Sequence, residues 1–131
     1  MSKERQEIYL TTLGEPISHY THAVRFGDLL YISGIIAVDE HNKVVGGDDA
    51  AAQTECIFQI MKSVLEKAGG DFRDVLKVNV YLLDMADRAR INPVRQKYFG
   101  ATRPASTLVQ VSALAVPGVK VEIEAVAGLR S

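Results

Sequence analysis

Apolar positions along the chain change period several times, and each change marks an element. Glu7 to Thr11 has the look of a short strand, and Thr12-Leu13-Gly14-Glu15-Pro16 after it has turn chemistry. His22 to Arg25 and Leu29 to Val38 are strand-like and flank Phe26-Gly27-Asp28, which predicts a tight hairpin; a second turn is predicted at Asp39 to Lys43. The period then lengthens. Ile57, Ile60, Met61, Val64 and Leu65 recur at i, i+3, i+4, i+7 and i+8, the single broad stripe of an amphipathic helix. Asp48 and Asp49 stand where an N-cap is wanted, and Gly69-Gly70 after Ala68 supplies the left-handed residue that closes a helix, so a helix of about 19 residues is predicted.

Val75 to Leu83 returns to period two, with Leu76, Val78, Val80 and Leu82 on one face and Val75, Lys77, Asn79, Tyr81 and Leu83 on the other. Ile91, Val94 and Tyr98 predict a second helix ending near Gly100. An interior proline removes a hydrogen bond and clashes with the preceding turn, so Pro93 is placed at the first helical position, with Asn92 as its N-cap after an irregular turn from Asp87. Strands at Ser106 to Ala113 and Val119 to Ala127 follow, separated by the turn at Val116-Pro117-Gly118. The order is β-β-β-α-β-α-β-β in a single domain, residues 1–131.

Counting faces exposes a deficit. Leu29 to Val38 is apolar on both sides and Val75 to Leu83 nearly so, yet two helices blanket only one face of such a sheet. Identical subunits packing sheet faces together supply the missing cover, and a closed homo-oligomer is expected; the alternative is a monomer with a polar outer face.

Composition narrows the function classes. With 15 basic and 16 acidic residues the net charge is −1, which removes the electrostatic footprint of a nucleic-acid binder, so no nucleic-acid partner is expected. The longest apolar run, Leu29 to Val38, is far too short to span a bilayer, and no membrane partner is expected. Met1-Ser2-Lys3-Glu4-Arg5 carries no apolar signal core and the lone Cys56 has no disulfide partner within the chain, so the expected location is cytoplasmic. His19, His22 and His41 lack the spacing of a zinc helix motif, so no metal site is expected; Cys56 beside an apolar stripe has the position of a small core hydrophobe. Gly46-Gly47 has no Gly-Lys-Ser/Thr pattern to make it a phosphate loop.

The most informative stretch is Val119 to Ala127. Its alternation puts Val119, Val121, Ile123 and Ala125 on one face and Lys120, Glu122 and Glu124 on the other. Either this is a solvated, partly ion-paired face, or Glu122 or Glu124 lies in a partly desolvated groove, where burial raises a carboxyl pKa towards the range of a general acid or base.

The run Arg103-Pro104-Ala105-Ser106-Thr107-Leu108-Val109-Gln110-Val111-Ser112-Ala113-Leu114, followed by Val121-Glu122-Ile123-Glu124-Ala125-Val126-Ala127, resembles the C-terminal signature of the RidA/YjgF family, also called the L-PSP endoribonuclease family. Ser18-His19-Tyr20, Tyr31-Ile32-Ser33-Gly34 and Ile91-Asn92 fall where that family has its other motifs, so the resemblance covers nearly the whole chain. It implies an α+β, chorismate-mutase-like (YjgF/L-PSP) fold, a mixed sheet with two helices on one face, assembled as a homotrimer with ligand clefts between subunits. It also implies hydrolysis of a reactive enamine or imine to a keto acid and ammonia, with no metal or organic cofactor.

Carried over residue by residue, the resemblance makes Glu122 the glutamate that orients the attacking water. It places Tyr20, Ser33, Gly34 and Asn92 at positions lining or supporting the cleft, with capping as the competing role for Asn92. Leu108 stands where many members have a cysteine. The departure is at Ser106: the usual run is Pro-Ala-Arg-Ser or Pro-Ala-Arg-Thr, whose arginine receives a substrate carboxylate, and Arg103 lies before the proline, on a different part of the turn. Ser106 and Thr107 then act as hydrogen-bond donors in a cleft adapted to a neutral or smaller ligand, or else activity has been lost. The functions implied are a small-molecule hydrolase or deaminase with altered substrate choice and, alternatively, a non-catalytic metabolite-binding trimer. The historical ribonuclease or translation-inhibitor role fits poorly with the absence of a basic run and of tryptophan.

Overall fold

The structure, a computed structural model, describes residues 4–130. Six strands, β1 (Gln6–Ile8), β2 (Ala23–Phe26), β3 (Leu29–Ile35), β4 (Val75–Leu82), β5 (Ala105–Gln110) and β6 (Val121–Gly128), form one sheet in the order β1-β2-β3-β6-β4-β5. Only β4 and β5 run parallel, and the helical crossover between them is what a parallel pair requires. Two helices, α1 (Ala50–Lys67) and α2 (Arg88–Phe99), complete the chain with short 3-10 turns at Phe72–Asp74 and Met85–Asp87. The predicted element order is the observed one.

α1 starts and stops where its caps predict. The Asp49 carboxylate accepts from Ala51 N (2.9 Å) and Ala52 N (3.4 Å), and Gly69 after the Ala68 C-cap takes the left-handed φ of 88°. Its stripe Ile57, Phe58, Met61, Val64 and Leu65 is buried against Leu30, Ile32, Val78, Val80, Val121 and Ile123 of the sheet. α2 joins the same layer through Tyr98 and Phe99, whose rings lie 5.3 and 5.5 Å from that of Phe58. Gly27, with φ 62°, and Asp28 make the two-residue turn between the paired ends Phe26 and Leu29, with glycine first as a type II′ turn requires.

Three expectations need correction. β3 ends at Ile35 rather than Val38, because its pairing with β6 jumps from Ile32↔Ala125 to Ile35↔Ile123 and Val38 instead bridges Val44 across the turn. The last two strands are also displaced, β5 ending at Gln110 and β6 starting at Val121, so Lys120 precedes the strand and its ammonium pairs with Asp48 at 3.1 Å. Asn92 is not a cap: α2 begins at Arg88 after the turn at Met85–Asp87, and Pro93 lies inside it. That interior proline forfeits one bond, from its own nitrogen to the Ala89 carbonyl, and burial of Ile91 and Phe99 offsets the loss.

The face opposite the helices is open. Paired across it are Phe26 with Leu29 and Tyr31 with Val126, and Leu76 lies over Gly128; Phe26, Leu29, Tyr31 and Leu76 are all exposed. Behind the sheet, the fully buried Gln53 ties three segments together. Its Nε2 donates to Gly47 O (2.9 Å) and Gly118 O (3.0 Å), and its Oε1 accepts from Lys120 N (2.8 Å). Gln53→Leu keeps the volume and strands these backbone groups, so urea unfolding is expected to show a loss of about 2–4 kcal/mol with an unchanged slope. A loss below about 0.5 kcal/mol would show that the clamp contributes nothing beyond its volume.

Candidate functional site

β6 runs between β3 and β4 and decides where both carboxylates point. Val121, Ile123, Ala125 and Ala127 are buried towards the helices, so Glu122 and Glu124 emerge together on the open face. The two then part company. Glu124 Oε2 accepts from Asn79 Nδ2 and its Oε1 from Tyr81 Oη, each at 3.2 Å. Both oxygens are engaged within β4, and Glu124 is a structural acid. Burial and the neighbouring Glu124 carboxylate also raise the Tyr81 pKa, which keeps that phenol a donor.

Glu122 accepts no hydrogen bond from any described residue. It is half-buried, and that burial, with the Glu124 charge second, raises its pKa above the ordinary glutamate value. Space for it comes from β3. Between Ile32↔Ala125 and Ile35↔Ile123, two residues of β3, Ser33 and Gly34, face one of β6, which is a β-bulge. A Cβ on Gly34 would overlap Glu122 Oε2 and stand 2.9 Å from Cδ, so the carboxylate crosses β3 only because position 34 has no side chain.

Around this carboxylate lies a cleft of about 330 Å³ lined by Ile17, Ser18, Tyr20, Ser33, Gly34, Ile36, Ala115 and Glu122, at the low end of the range for small-molecule sites. Ser33 is pinned from two sides, its N–H donating to His22 O (3.0 Å) and its hydroxyl to Thr21 O (2.6 Å). Tyr20 is exposed at the rim. A narrower crevice of about 60 Å³ continues past Ser33 and Gly34 under the loop at 13–16, towards His22 and Asn42. There His22 is stacked 4.9 Å from Tyr9 and its Nδ1 accepts from Leu10 N; burial lowers its pKa, so it serves as a neutral packing group.

The remaining site candidates lie elsewhere in the protomer. In the parallel β4–β5 ladder Ser106 stands beside Val78 and Leu108 beside Val80, which turns both towards the helices. Leu108 packs on the core, and Ser106 Oγ accepts from Arg95 Nη2 of α2 at 2.8 Å. Thr107 faces the open side, where its hydroxyl accepts from Lys77 Nζ at 2.8 Å. The two hydroxyls expected as donors to a ligand therefore already accept from cations. Asn92 is one turn from Arg95 on the same face of α2. Arg95 went unnoticed in the sequence; the spacing Arg88, Asn92, Arg95 was its available signal.

Burial raises the Cys56 thiol pKa, which makes it a packing residue. Among the described residues no group of histidine, cysteine and carboxylate side chains is arranged to hold a metal, and no helix is long and apolar enough to cross a membrane.

A mixed six-stranded sheet thus carries two helices on one face and, on the other, a cleft of small-molecule size beside a glutamate that no described residue hydrogen-bonds. Comparison with known proteins identifies the family. The Endoribonuclease L-PSP family pattern matches residues 12–129, and the chain belongs to that family. It is 38% identical over 123 residues to a RutC family protein of Pyrococcus horikoshii, covering 94% of this chain and 97% of that one. It is 41% identical over 112 residues to the 3-aminoacrylate deaminase RutC of Acinetobacter baylyi, covering 86% and 88%. The crystal structure of RidA from an Antarctic Psychrobacter superposes with a TM-score of 0.87 at 36% identity over 95% of this chain and 99% of that one. The fold is that of the YjgF/L-PSP proteins.

The bulge geometry generates a direct test. Gly34→Ala is expected to push the Glu122 carboxylate aside at little thermodynamic cost, because the colliding atoms are the far end of a flexible side chain. A melting temperature within a few degrees of the parent, together with loss of ligand binding or turnover, is the expected result. A large fall in melting temperature would show instead that the backbone of β3 has moved.

Proposed function

We propose that this chain hydrolyses a small enamine or imine, the class to which 3-aminoacrylate belongs, at Glu122 in a cleft completed by neighbouring copies of itself, without metal or organic cofactor. The observation that carries this reading is Glu122 itself: a half-buried carboxylate beside Tyr20, Ser33 and Gly34 that no described residue hydrogen-bonds. A buried acid left unpaired is costly unless it serves a ligand or water.

The chemistry requires little more. An enamine first tautomerises to its imine, gaining a proton on carbon and losing one from nitrogen. Water adds to the imine carbon as Glu122 takes its proton. That proton passes to the imine nitrogen to give a carbinolamine; its hydroxyl proton then moves through Glu122 to the same nitrogen as the C–N bond breaks and the C=O bond forms, so ammonia leaves a carbonyl product. Glu122 starts and ends as a carboxylate, and its raised pKa brings it nearer the range where a base both accepts and returns a proton. Ser106 replaces the arginine that the family resemblance leads one to expect, so substrate choice is the property most open to change. A net charge of −1 makes RNA a poor substrate by comparison.

The open face supports self-association, since Phe26, Leu29, Tyr31 and Leu76 leave apolar area that a second protomer would cover. A trimer is the assembly proposed, and light scattering should return three times the protomer mass; a protomer mass would overturn it.

The catalytic proposal is tested with freshly generated 2-aminoacrylate and 3-aminoacrylate, following ammonia release against a buffer control. Glu122→Gln is expected to lower the rate by about 100-fold or more. Release no faster than in buffer by the parent would leave a non-catalytic binding protein. The rate should rise with pH through an inflection above the ordinary glutamate value, because only the carboxylate accepts a proton. Stability moves the opposite way. A group whose folded pKa is raised binds more protons in the folded state, so its contribution is present at low pH and is lost as pH rises through the folded pKa. Glu122→Gln should thus be at least as stable as the parent at neutral pH.

A further inference from the structure

The second group of candidate residues contains a cation without an acid. Arg95 is half-buried on α2, its Nη2 donating to Ser106 Oγ at 2.8 Å, and no described carboxylate pairs with it. Arg88 lies seven residues earlier, near enough to act on Arg95 electrostatically, and no described carboxylate pairs with it either. On an α-helix, positions 88, 92 and 95 share one face, so two guanidinium groups and the Asn92 amide lie along the same side of α2, and Arg95 is the member that meets Ser106. Like charges along one face, with no counter-ion supplied by any described residue, make a site that favours an anion. Ser106 Oγ uses one edge of the Arg95 fork and leaves the rest of that planar donor set free, together with the serine's own hydroxyl hydrogen. A planar fork with a flanking hydroxyl matches a carboxylate.

We propose that Arg95, braced by Ser106, is the receptor for a carboxylate on the substrate, and that it serves a cleft whose Glu122 belongs to a neighbouring copy of this chain. The inference deepens the deaminase reading and rests on it for the reaction, but not for the binding. It makes the substrate an amino acid derivative, an enamine or imine bearing a carboxylate, where the serine taken alone suggests a neutral ligand. The two-copy arrangement follows from topology. β5 and β6 lie on opposite sides of β4, about two strand spacings or roughly 9.5 Å apart. Ser106 faces the helices and Glu122 faces the open side. A three-carbon substrate cannot reach around the sheet to touch both in one protomer, so a single copy holds two half-sites and no complete one.

Crotonate, in which a methyl group replaces the amino group of 3-aminoacrylate, serves as the probe, with crotonamide and inorganic phosphate as controls. By calorimetric or NMR titration the parent should bind crotonate at least about tenfold more tightly than crotonamide. Arg95→Gln should abolish that preference by weakening crotonate alone, and Arg95→Lys should restore part of it. Crotonate affinity unchanged in Arg95→Gln, or no preference for it in the parent, would overturn the assignment; displacement by equimolar phosphate would overturn its carboxylate specificity. Co-refolding Arg95→Gln with Glu122→Gln chains tests the two-copy arrangement. About a quarter of the clefts in a random mixture receive both intact groups, so about a quarter of parental turnover should return from two nearly inactive variants. No recovery would place both groups in one protomer. If the parent has no turnover while crotonate binding still depends on Arg95, the deaminase reading fails and the receptor stands; the converse result removes the receptor alone.

Discussion

The pairing of β6 between β3 and β4 is the constraint on which the rest depends. It is antiparallel to both neighbours and carries a strict alternation, with Val121, Ile123, Ala125 and Ala127 in the core and Glu122 and Glu124 opposite. Because the side-chain period is two, a slip of one residue would drive both carboxylates against α1 and expose the four apolar residues. Burying an unpaired carboxylate costs several kcal/mol, so the register is determined far more strongly than any hydrogen bond in the cleft requires. The position of the candidate base is thus a by-product of forming the core.

Within that frame, small differences in surroundings give two similar carboxylates different work. Asn79 and Tyr81 of β4 occupy both oxygens of Glu124. On the other side, the bulge at Ser33 and Gly34 removes a side chain where Glu122 needs room, and no described residue hydrogen-bonds it in the cleft. Ser33 in turn is held by the backbone at Thr21 and His22, so the wall of the cleft is tied to the segment that carries Tyr20. A bulge that costs some strand pairing thereby becomes the feature that shapes the site.

On the proposed reading the protomer is also chemically unfinished. Its open face presents Phe26, Leu29, Tyr31 and Leu76, while the far edge presents Arg95 and Ser106. Apolar cover and a shared cleft call for the same thing, contact with further copies. Association would then supply stability and function through one surface, which links the apolar residues of the sheet to the chemistry they do not touch.

The sequence by itself determined the elements and their order, since periodicity, Asp49, Gly69 and the Gly27-Asp28 turn are local signals that tertiary contacts did not override. It also determined that Glu122 and Glu124 share a face and, through its family motifs, which residues deserved attention. Only the tertiary structure decided which of the two carboxylates no described residue hydrogen-bonds, because that turns on neighbours at positions 34, 79 and 81 that come from other strands. It alone began α2 at Arg88 instead of at Pro93, where the buried Ile91 and Phe99 outweigh one missing hydrogen bond. It also brought Arg95 to Ser106, a meeting of a helix and a strand eleven residues apart that no periodicity within either one can announce. Local pattern reports what each residue prefers; which partners it meets is settled when the layers pack.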